Sequence, residues 1–256
     1  MNSSNLKNKL NQGKLTVGSW ITIGDAAIAE IFSNAGFDWL VIDLEHSSIS
    51  IDQAGDLIRT IDLSGVAPLV RLTSNDPNQI KRVMDCGAHG IVVPSINSAY
   101  EASLAVASTR YAPDGLRGVG LARAQDYGSN FTGYLEWQKT SPVVIVQIEH
   151  INALDNLEAI FTTKGVDGFI IGPYDLSCSM GMPGDFHHPE FKEVVQKILR
   201  AGKESGCPSG IHLVEPDAEL LNNTIEEGYK FIAYSVDIRM LDVSARHGTK
   251  IIKKDL

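Results

Sequence analysis

Residues 39–46, "WLVIDLEH", begin as a buried strand and end in reactive side chains. The first four residues are apolar on consecutive positions, which is typical of a strand in a parallel sheet covered on both faces. Asp43, Glu45 and His46 then place two carboxylates and an imidazole at the carboxyl end of that strand. Charged groups are costly in a poorly solvated position, so this strand end is a candidate functional edge of a sheet.

The pattern of a short apolar run followed by an amphipathic segment recurs along the whole chain. The predicted strands are residues 15–20, 39–43, 66–71, 90–94, 143–149, 167–172, 209–213 and 230–235. The helix-like segments between them carry end signals, as in residues 50–65, where Ser50 is a candidate N-cap and Gly65 closes the segment.

Eight such repeats in a chain of 256 residues predict one (β/α)8 TIM barrel domain spanning residues 1–256. A doubly wound open sheet is the alternative, but no G-x-G-x-x-G follows an early strand to support dinucleotide binding. Residues 100–142 contain no clear strand, and we expect one helix followed by a loop there.

Composition narrows the classes of partner and compartment. A net charge of −9 argues against a nucleic-acid-binding or anionic-membrane surface. The three cysteines, Cys86, Cys178 and Cys207, are odd in number and lack metal-type spacing, so we expect reduced thiols in a cytoplasmic protein. No apolar run is long enough to predict a membrane span or a signal core.

Polar residues stand at the carboxyl ends of several predicted strands, which is where barrels carry their active sites. These residues are Asp43, Glu45, His46, Arg71, Gln147, Glu149 and Asp175. Each alone has a structural explanation, such as a turn, an ion pair or a helix cap. Their convergence on one rim of a barrel favours a functional site.

The residue types indicate the chemistry of that rim. Glu149 and Asp175 are hard oxygen donors on neighbouring strands, which suits Mg²⁺ or Mn²⁺ completed by water and a bidentate ligand. His46 is a candidate proton carrier, and Asp43 could orient its ring. Arg71 can bind an oxyanion or a carboxylate.

Lysine is missing from the carboxyl ends of the predicted strands, and Lys230 lies at the opposite end of its strand. A Schiff-base aldolase needs a lysine inside the barrel. Carbonyl chemistry at this site would therefore depend on a metal ion acting as Lewis acid.

Several motifs together resemble one known family. They are "FDWLVIDLEHSSIS", "PLVRL", "QIKRVMDCGAHGIVVPSINSAYEA", "RYAPDGLRGVGLARA", "VVIVQIE" and "GVDGFIIGPYDLSCSMGMPG". The chain resembles, over about residues 17–247, the HpcH/HpaI family of metal-dependent class II 2-oxo acid (pyruvate) aldolases. The resemblance implies reversible cleavage of a 4-hydroxy-2-oxo acid into pyruvate, or a related 2-oxo acid, and an aldehyde. It also implies a TIM barrel whose last helix is exchanged between subunits, in a homohexamer built as a trimer of dimers.

The resemblance assigns a metal site and a catalytic group. Glu149 and Asp175 match the ligands of a divalent cation, Mg²⁺, Mn²⁺ or Co²⁺. His46 matches the catalytic base, with Asp43 as its partner, and Arg71 matches the residue near the reacting oxygens.

The resemblance also assigns substrate contacts. Gln147 matches a pyruvate contact, and the backbone at Gly172 and Tyr174 matches the loop that holds the pyruvate carboxylate. Asp85 matches an acidic position at the aldehyde end, acting across a subunit boundary, and Glu45 is interpreted as a supporting hydrogen-bonding group.

Some positions depart from the family pattern, and two other functions stay open. Tyr174 stands where Ala or Asn is common and Ser235 where Gly is common, so the sequence leaves the aldehyde undetermined. One alternative is a citrate-lyase-β-like enzyme acting on a CoA thioester, although no basic CoA-binding surface is evident. The other is a non-catalytic 2-oxo acid-binding protein, against which His46 argues because a sensor needs no base.

Overall fold

The computed structural model describes residues 3–252, and in it eight parallel strands close into a barrel. The strands are β1 (Thr16–Ile21), β2 (Trp39–Asp43), β3 (Ala67–Arg71), β4 (Gly90–Val93), β5 (Val143–Ile148), β6 (Gly168–Ile171), β7 (Ser209–Leu213) and β8 (Phe231–Val236). Each strand pairs with the next, and β8 pairs with β1. This closure confirms the predicted (β/α)8 barrel and excludes the open sheet.

One helix precedes β1, and the other helices follow the strands and surround the barrel. They are α1 (Ser3–Asn11), α2 (Ala26–Asn34), α3 (Ile51–Leu63), α4 (Pro77–Asp85), α5 (Ala99–Thr109), α6 (Phe131–Thr140), α7 (Leu157–Phe161), α8 (Pro173–Ser179), α9 (Pro189–Ser205), α10 (Ala218–Glu226) and α11 (Asp237–Ile252). The expected capping signals are confirmed at α3, where the Ser50 hydroxyl accepts from the Gln53 amide. At the other end, Gly65 has φ +84°, a conformation that glycine adopts without steric cost.

Strand alternation explains why the barrel core ends in polar groups. Trp39 and Val41 of β2 belong to the cluster inside the barrel, whereas Leu40 packs against the surrounding helices. Asp43 is therefore the next residue of β2 to face inward. The same alternation carries Arg71 inward at the end of β3. The residues that face inward at the other strand ends include Gln147, Glu149, Gly172 and His212. A period of two thus places a ring of polar residues directly above the apolar core.

Helix α1, which the sequence did not predict, closes the opposite end of the barrel. Leu6 and Leu10 are buried in the interior cluster, at 2% and 1% exposure. The Lys7 ammonium donates to the Pro142 carbonyl (2.7 Å) and to the Asp167 carboxylate (2.9 Å). Two leucines four residues apart therefore act as a plug beneath the barrel.

Residues 100–142 are more structured than expected. The single predicted helix is present as α5, but a 3-10 helix (Arg123–Gly128) and α6 follow where we expected a loop. The buried guanidinium of Arg117 holds this segment in place, because it donates to Asp85 (2.5 Å) and to the Tyr134 hydroxyl (2.6 Å). It also lies 4.7 Å from the centre of the Tyr111 ring.

The three cysteines are free in the structure, as expected. Between residues 3 and 252, no helix combines the length and the apolar character that crossing a bilayer requires. Helix α11 follows β8 without a loop, and its exchange between subunits stays a prediction.

Candidate active site

A cavity of about 400 Å³ opens at the carboxyl ends of the strands. It is lined by Trp20, His46, Arg71, Gln147, Ile170, Ile171, Gly172, Pro173, Tyr174, Asp175, His212 and Val214. Six of the predicted site residues are therefore brought together from four different strand–helix units. The cavity lies at the end where (β/α)8 barrels carry their active sites.

Arg71 is fixed in the cavity wall by Asp43 and Trp20. Its Nε donates to Asp43 Oδ1 (2.8 Å) and its Nη2 donates to Asp43 Oδ2 (2.6 Å), so the two side chains form a bidentate ion pair. Its guanidinium lies 4.3 Å from the centre of the Trp20 ring. The side chain is 14% exposed, so a rigid cation faces the cavity and can meet a negatively charged oxygen.

Asp43 does not orient the His46 ring, which corrects the predicted partnership. Because its carboxylate is engaged by Arg71, it reaches His46 only through the backbone, with Oδ1 accepting from the amides of Glu45 (3.0 Å) and His46 (3.3 Å). The carboxylate closest to the His46 ring is that of Glu45, with Oε2 3.8 Å from Nε2. Asp43 thus positions the loop that carries His46, and Glu45 is the ring's neighbour.

The carboxyl group of Glu45 has a raised pKa at this rim. Burial raises its pKa, Arg71 lowers it, and Glu149, Asp43 and Asp175 raise it further, giving a value of about 7. Its Oε2 lies 3.4 Å from Arg71 Nη1, yet it is buried and has no well-directed hydrogen bond. Four carboxylates therefore act on one another around one guanidinium, and this corner of the cavity is short of positive charge.

Glu149 is buried and held in one orientation by its neighbours. Its Oε1 accepts from the backbone amide (2.6 Å) and the hydroxyl (3.0 Å) of Ser95, and its Oε2 contacts the Gln147 amide nitrogen. A Cβ atom on Gly172 would come within 2.7 Å of Glu149 Oε2, so only glycine fits there. The sequence did not identify Ser95, which comes just after β4 and has φ +55°.

Asp175 lies in the first turn of α8, next to Gly172 and Tyr174, and its side chain is exposed to the cavity mouth. Pro173 is the first residue of this helix and has no amide hydrogen to donate. The Tyr174 ring packs edge-on against Phe186, with centroids 4.9 Å apart. The side chain at this position is therefore held over the rim of the cavity.

The donor set fits a divalent cation bound mainly by water and substrate. No cluster of three or more metal-binding side chains is present within the described residues 3–252, so the protein would supply few ligands. Mg²⁺ commonly binds through one or two carboxylates and keeps several other positions for water and substrate. Glu45 Oε2 lacks a hydrogen bond and carboxylates outnumber the guanidinium of Arg71, so a cation would be electrostatically favoured here.

Asp85 is not part of this cavity in the same chain. It is the last residue of α4 and lines a separate pocket together with Ile51, Asp52 and Arg82. Its carboxylate binds Arg117 (2.5 Å).

His212, which was not among the predicted site residues, also lines the cavity. Its Nε2 lies 3.2 Å from the carbonyl oxygen of Ser235, and burial lowers its pKa to about 4. Ser235 has φ +55°, at a point where the pairing of β8 with β1 shifts register, which explains why glycine is expected there. The alternation of "SGIHL" would have identified His212, since it faces inward with Gly210.

A closed parallel barrel with a polar cavity at the carboxyl ends of its strands is the arrangement typical of a barrel enzyme. The chain belongs to the HpcH/HpaI aldolase/citrate lyase family, whose model matches residues 16–242, and it is therefore a carbon–carbon lyase. This confirms the resemblance drawn from the motifs.

Relatives match over almost the entire chain. A pyruvate aldolase from Rhizobium etli is 38% identical over 239 residues, covering 93% of both proteins. A hydroxypyruvate/pyruvate aldolase from Roseobacter denitrificans is 36% identical over 237 residues, covering 92% of this chain and 91% of the relative. The crystal structure of a family protein from Burkholderia cenocepacia superposes with a TM-score of 0.91 at 33% identity, covering 97% of this chain and 99% of the other.

Proposed function

We propose that this protein is a metal-dependent aldolase that reversibly cleaves a 4-hydroxy-2-oxo acid into pyruvate, or a related 2-oxo acid, and an aldehyde. The observation that carries the proposal is the cavity rim, where carboxylates outnumber the single guanidinium of Arg71 and no lysine is found among the described lining residues. Relatives named as pyruvate and hydroxypyruvate/pyruvate aldolases support the substrate class.

Glu149 and Asp175 would hold the divalent cation, Mg²⁺, Mn²⁺ or Co²⁺. When bound, such a cation acts as a Lewis acid that polarises a carbonyl oxygen and stabilises negative charge developing on it. Ser95 and Gln147 contact Glu149 and so fix the direction of its carboxylate oxygens. Gly172 leaves space for Glu149, and the backbone of Gly172 and Tyr174 would receive the carboxylate of the 2-oxo acid.

His46 and Arg71 would act in the cleavage and formation of the carbon–carbon bond. His46 is exposed to the cavity and would take the proton of the 4-hydroxyl group during cleavage and return it during synthesis. Arg71 would stabilise the developing oxyanion, since Asp43 and Trp20 hold its guanidinium still. Gln147 would donate a hydrogen bond to the 2-oxo acid.

Assembly is a separate part of the proposal. We infer that subunits form a homo-oligomer, a hexamer built from dimers, in the cytoplasm, with Asp85 of one subunit serving a neighbouring site. Asp85 lies away from its own chain's cavity, which supports this arrangement. Light scattering of the wild type would test the oligomer. An Asp85→Asn variant that remains assembled but loses aldehyde affinity would support the shared site.

Incubating the protein with pyruvate, a panel of aldehydes and Mg²⁺, Mn²⁺ or Co²⁺ tests the reaction. NMR should show a 4-hydroxy-2-oxo acid, EDTA should stop its formation, and added cation should restore it. Borohydride added with pyruvate should leave the protein mass unchanged. A reduced pyruvyl adduct on a lysine required for turnover would overturn the metal-dependent mechanism. Turnover of a CoA thioester instead would favour the citrate-lyase-like alternative.

A further inference from the structure

His212 lines the cavity but has no task in the proposed reaction. It lies near the end of β7, and the pairing of Ile171 with Ile211 makes Gly172 and His212 neighbours at the tops of β6 and β7. Its ring centre is 5.5 Å from that of Trp20. An imidazole in this position must either be satisfied by the protein or be available to a ligand.

The hydrogen bond to Ser235 fixes the tautomer of His212. A carbonyl oxygen can only accept, so Nε2 carries the proton that bridges the 3.2 Å to Ser235. Burial lowers the pKa of His212 to about 4; the Ser235 carbonyl raises it, Arg71 lowers it and Asp43 raises it. The ring is therefore neutral near pH 7, and Nδ1 is an acceptor with a lone pair.

Nδ1 has no partner among the described residues, since the only polar contact of His212 is the one through Nε2. Trp20, Ile170 and Val214 are the apolar side chains on this side of the cavity, and Arg71, which lies over the Trp20 ring, offers donors and no acceptor. A lone acceptor in such a wall gains a hydrogen bond only if the ligand brings a donor. A ligand that presents a methyl group there leaves the acceptor desolvated and unpaired.

The strand order indicates which part of the substrate meets this nitrogen. Gln147 pairs with Ile170 and Ile148 with Ile171, so Glu149, Gly172 and His212 follow one another across β5, β6 and β7. In the proposed function, the carboxylate and ketone of the 2-oxo acid occupy the Glu149–Gly172 side. Carbon 3, the carbon that forms the new bond, then extends toward His212 and Arg71.

We infer that His212 accepts a hydrogen bond from a hydroxyl group on carbon 3 of the 2-oxo acid, so that the enzyme prefers a 3-hydroxylated nucleophile to pyruvate. The inference rests on the proposed aldolase function and adds the substrate class of its nucleophile. The neighbouring side chains Trp20, Ile170 and Val214 carry no acceptor, so His212 is the side chain on which this discrimination depends. Sites built to hydrogen-bond a hydroxyl strongly disfavour the analogue that lacks it.

The test compares hydroxypyruvate, the smallest 2-oxo acid with that hydroxyl, with pyruvate, using one aldehyde and Mn²⁺. The wild type should have the higher kcat/KM with hydroxypyruvate. His212→Leu should lower the hydroxypyruvate to pyruvate ratio about tenfold, the effect of one hydrogen bond, whereas His212→Asn, which keeps an acceptor, should retain most of it. Calorimetry without aldehyde should show the same shift in binding. His187→Leu, which changes an exposed histidine outside the cavity, is the matched control, and its ratio should match the wild type.

Two failures can be told apart. A wild-type ratio at or below one, or a ratio that His212→Leu leaves unchanged, would overturn the role of His212 while aldol activity stands. No aldol product with any pair of substrates would overturn the proposed function and this inference with it. If His212→Leu does not fold, as judged by circular dichroism, the wild-type ratio and the His212→Asn variant still decide the question.

Discussion

Asp43 and Arg71 face each other at the ends of adjacent strands and form an ion pair with two hydrogen bonds, of 2.8 and 2.6 Å. They are also register partners in the β2–β3 pairing, so the sheet itself sets their distance. The same carboxylate accepts the amides of Glu45 and His46. Asp43 thus couples the orientation of the Arg71 guanidinium to that of the loop that carries His46, the proposed base.

Asp43→Asn should lower kcat/KM for the aldol reaction by about 10²-fold, because a small displacement of a catalytic group has a cost of that order. The variant keeps the side-chain shape but leaves Arg71 without its counter-charge. Steady-state kinetics with a fixed substrate pair measure the effect. Asp38→Asn is the matched control, since Asp38 precedes the same strand at the opposite end and binds Lys9 (2.5 Å). An equal loss in both variants would mean that the effect is one of stability.

His46→Ala should lower turnover by about 10²- to 10⁴-fold, the usual contribution of general acid–base catalysis, while Mn²⁺ affinity stays close to the wild-type value. His46 is 65% exposed and contacts Glu45 rather than Glu149. Kinetics and Mn²⁺ titration by calorimetry separate the two roles. His187→Ala, an exposed histidine outside the cavity, should behave as wild type. A parallel fall in Mn²⁺ affinity would make His46 a ligand.

Glu149→Gln and Asp175→Asn should each abolish metal-dependent turnover and weaken Mn²⁺ binding without unfolding the barrel. Both side chains lie at the functional end of the barrel, where residues serve activity more than stability. Calorimetric titration and circular dichroism give the two readouts. Asp155→Asn changes a carboxylate that is 96% exposed and should have no effect. Unchanged Mn²⁺ affinity in either variant would remove that residue from the proposed metal site.

Glu45 should make the metal-free protein less stable as pH rises. Its pKa is about 7 in the folded protein against an ordinary value of 4.5, so the folded state binds more protons between those values. The corresponding stabilisation is complete below pH 4.5 and is lost as pH rises through 7. Urea unfolding in EDTA at about pH 5 and about pH 8 should show a larger loss for wild type than for Glu45→Gln. Equal losses would contradict the raised pKa.

Leu10→Ala should lower the free energy of unfolding by about 2–5 kcal/mol, the range for a fully buried leucine, with little change in kcat/KM. Leu10 is 1% exposed in the floor of the barrel, at the end opposite to the cavity. Leu63→Ala, at a position that is 77% exposed, is the control and should change stability only slightly. Urea denaturation measures both. Tolerance of Leu10→Ala would show that α1 does not support the barrel.

Local signals in the sequence were sufficient for the barrel and for most of its polar rim. Consecutive apolar residues predicted the eight strands, and caps such as Ser50 marked helix ends, because both depend on residues close together in the chain. Alternation with a period of two brought Arg71 and Gln147 to one cavity, and His46 and Asp175 reach it from the segments that follow β2 and β6. The roles of these residues stay predictions, since placement alone does not show chemistry.

Only the tertiary structure decided which of these groups touch each other. Asp43 pairs with Arg71, 28 positions away, instead of orienting the His46 ring, because strand register and not sequence proximity brings charged groups within bonding distance. The same holds for α1. Two leucines are too weak a pattern to predict a buried helix from the sequence, and their burial depends on the open end of the barrel against which they pack. The alternation of β7 turns His212 inward, but the sequence does not show its partner; the carbonyl of Ser235, contributed by the next strand, sets its tautomer and leaves Nδ1 without a partner among the described residues.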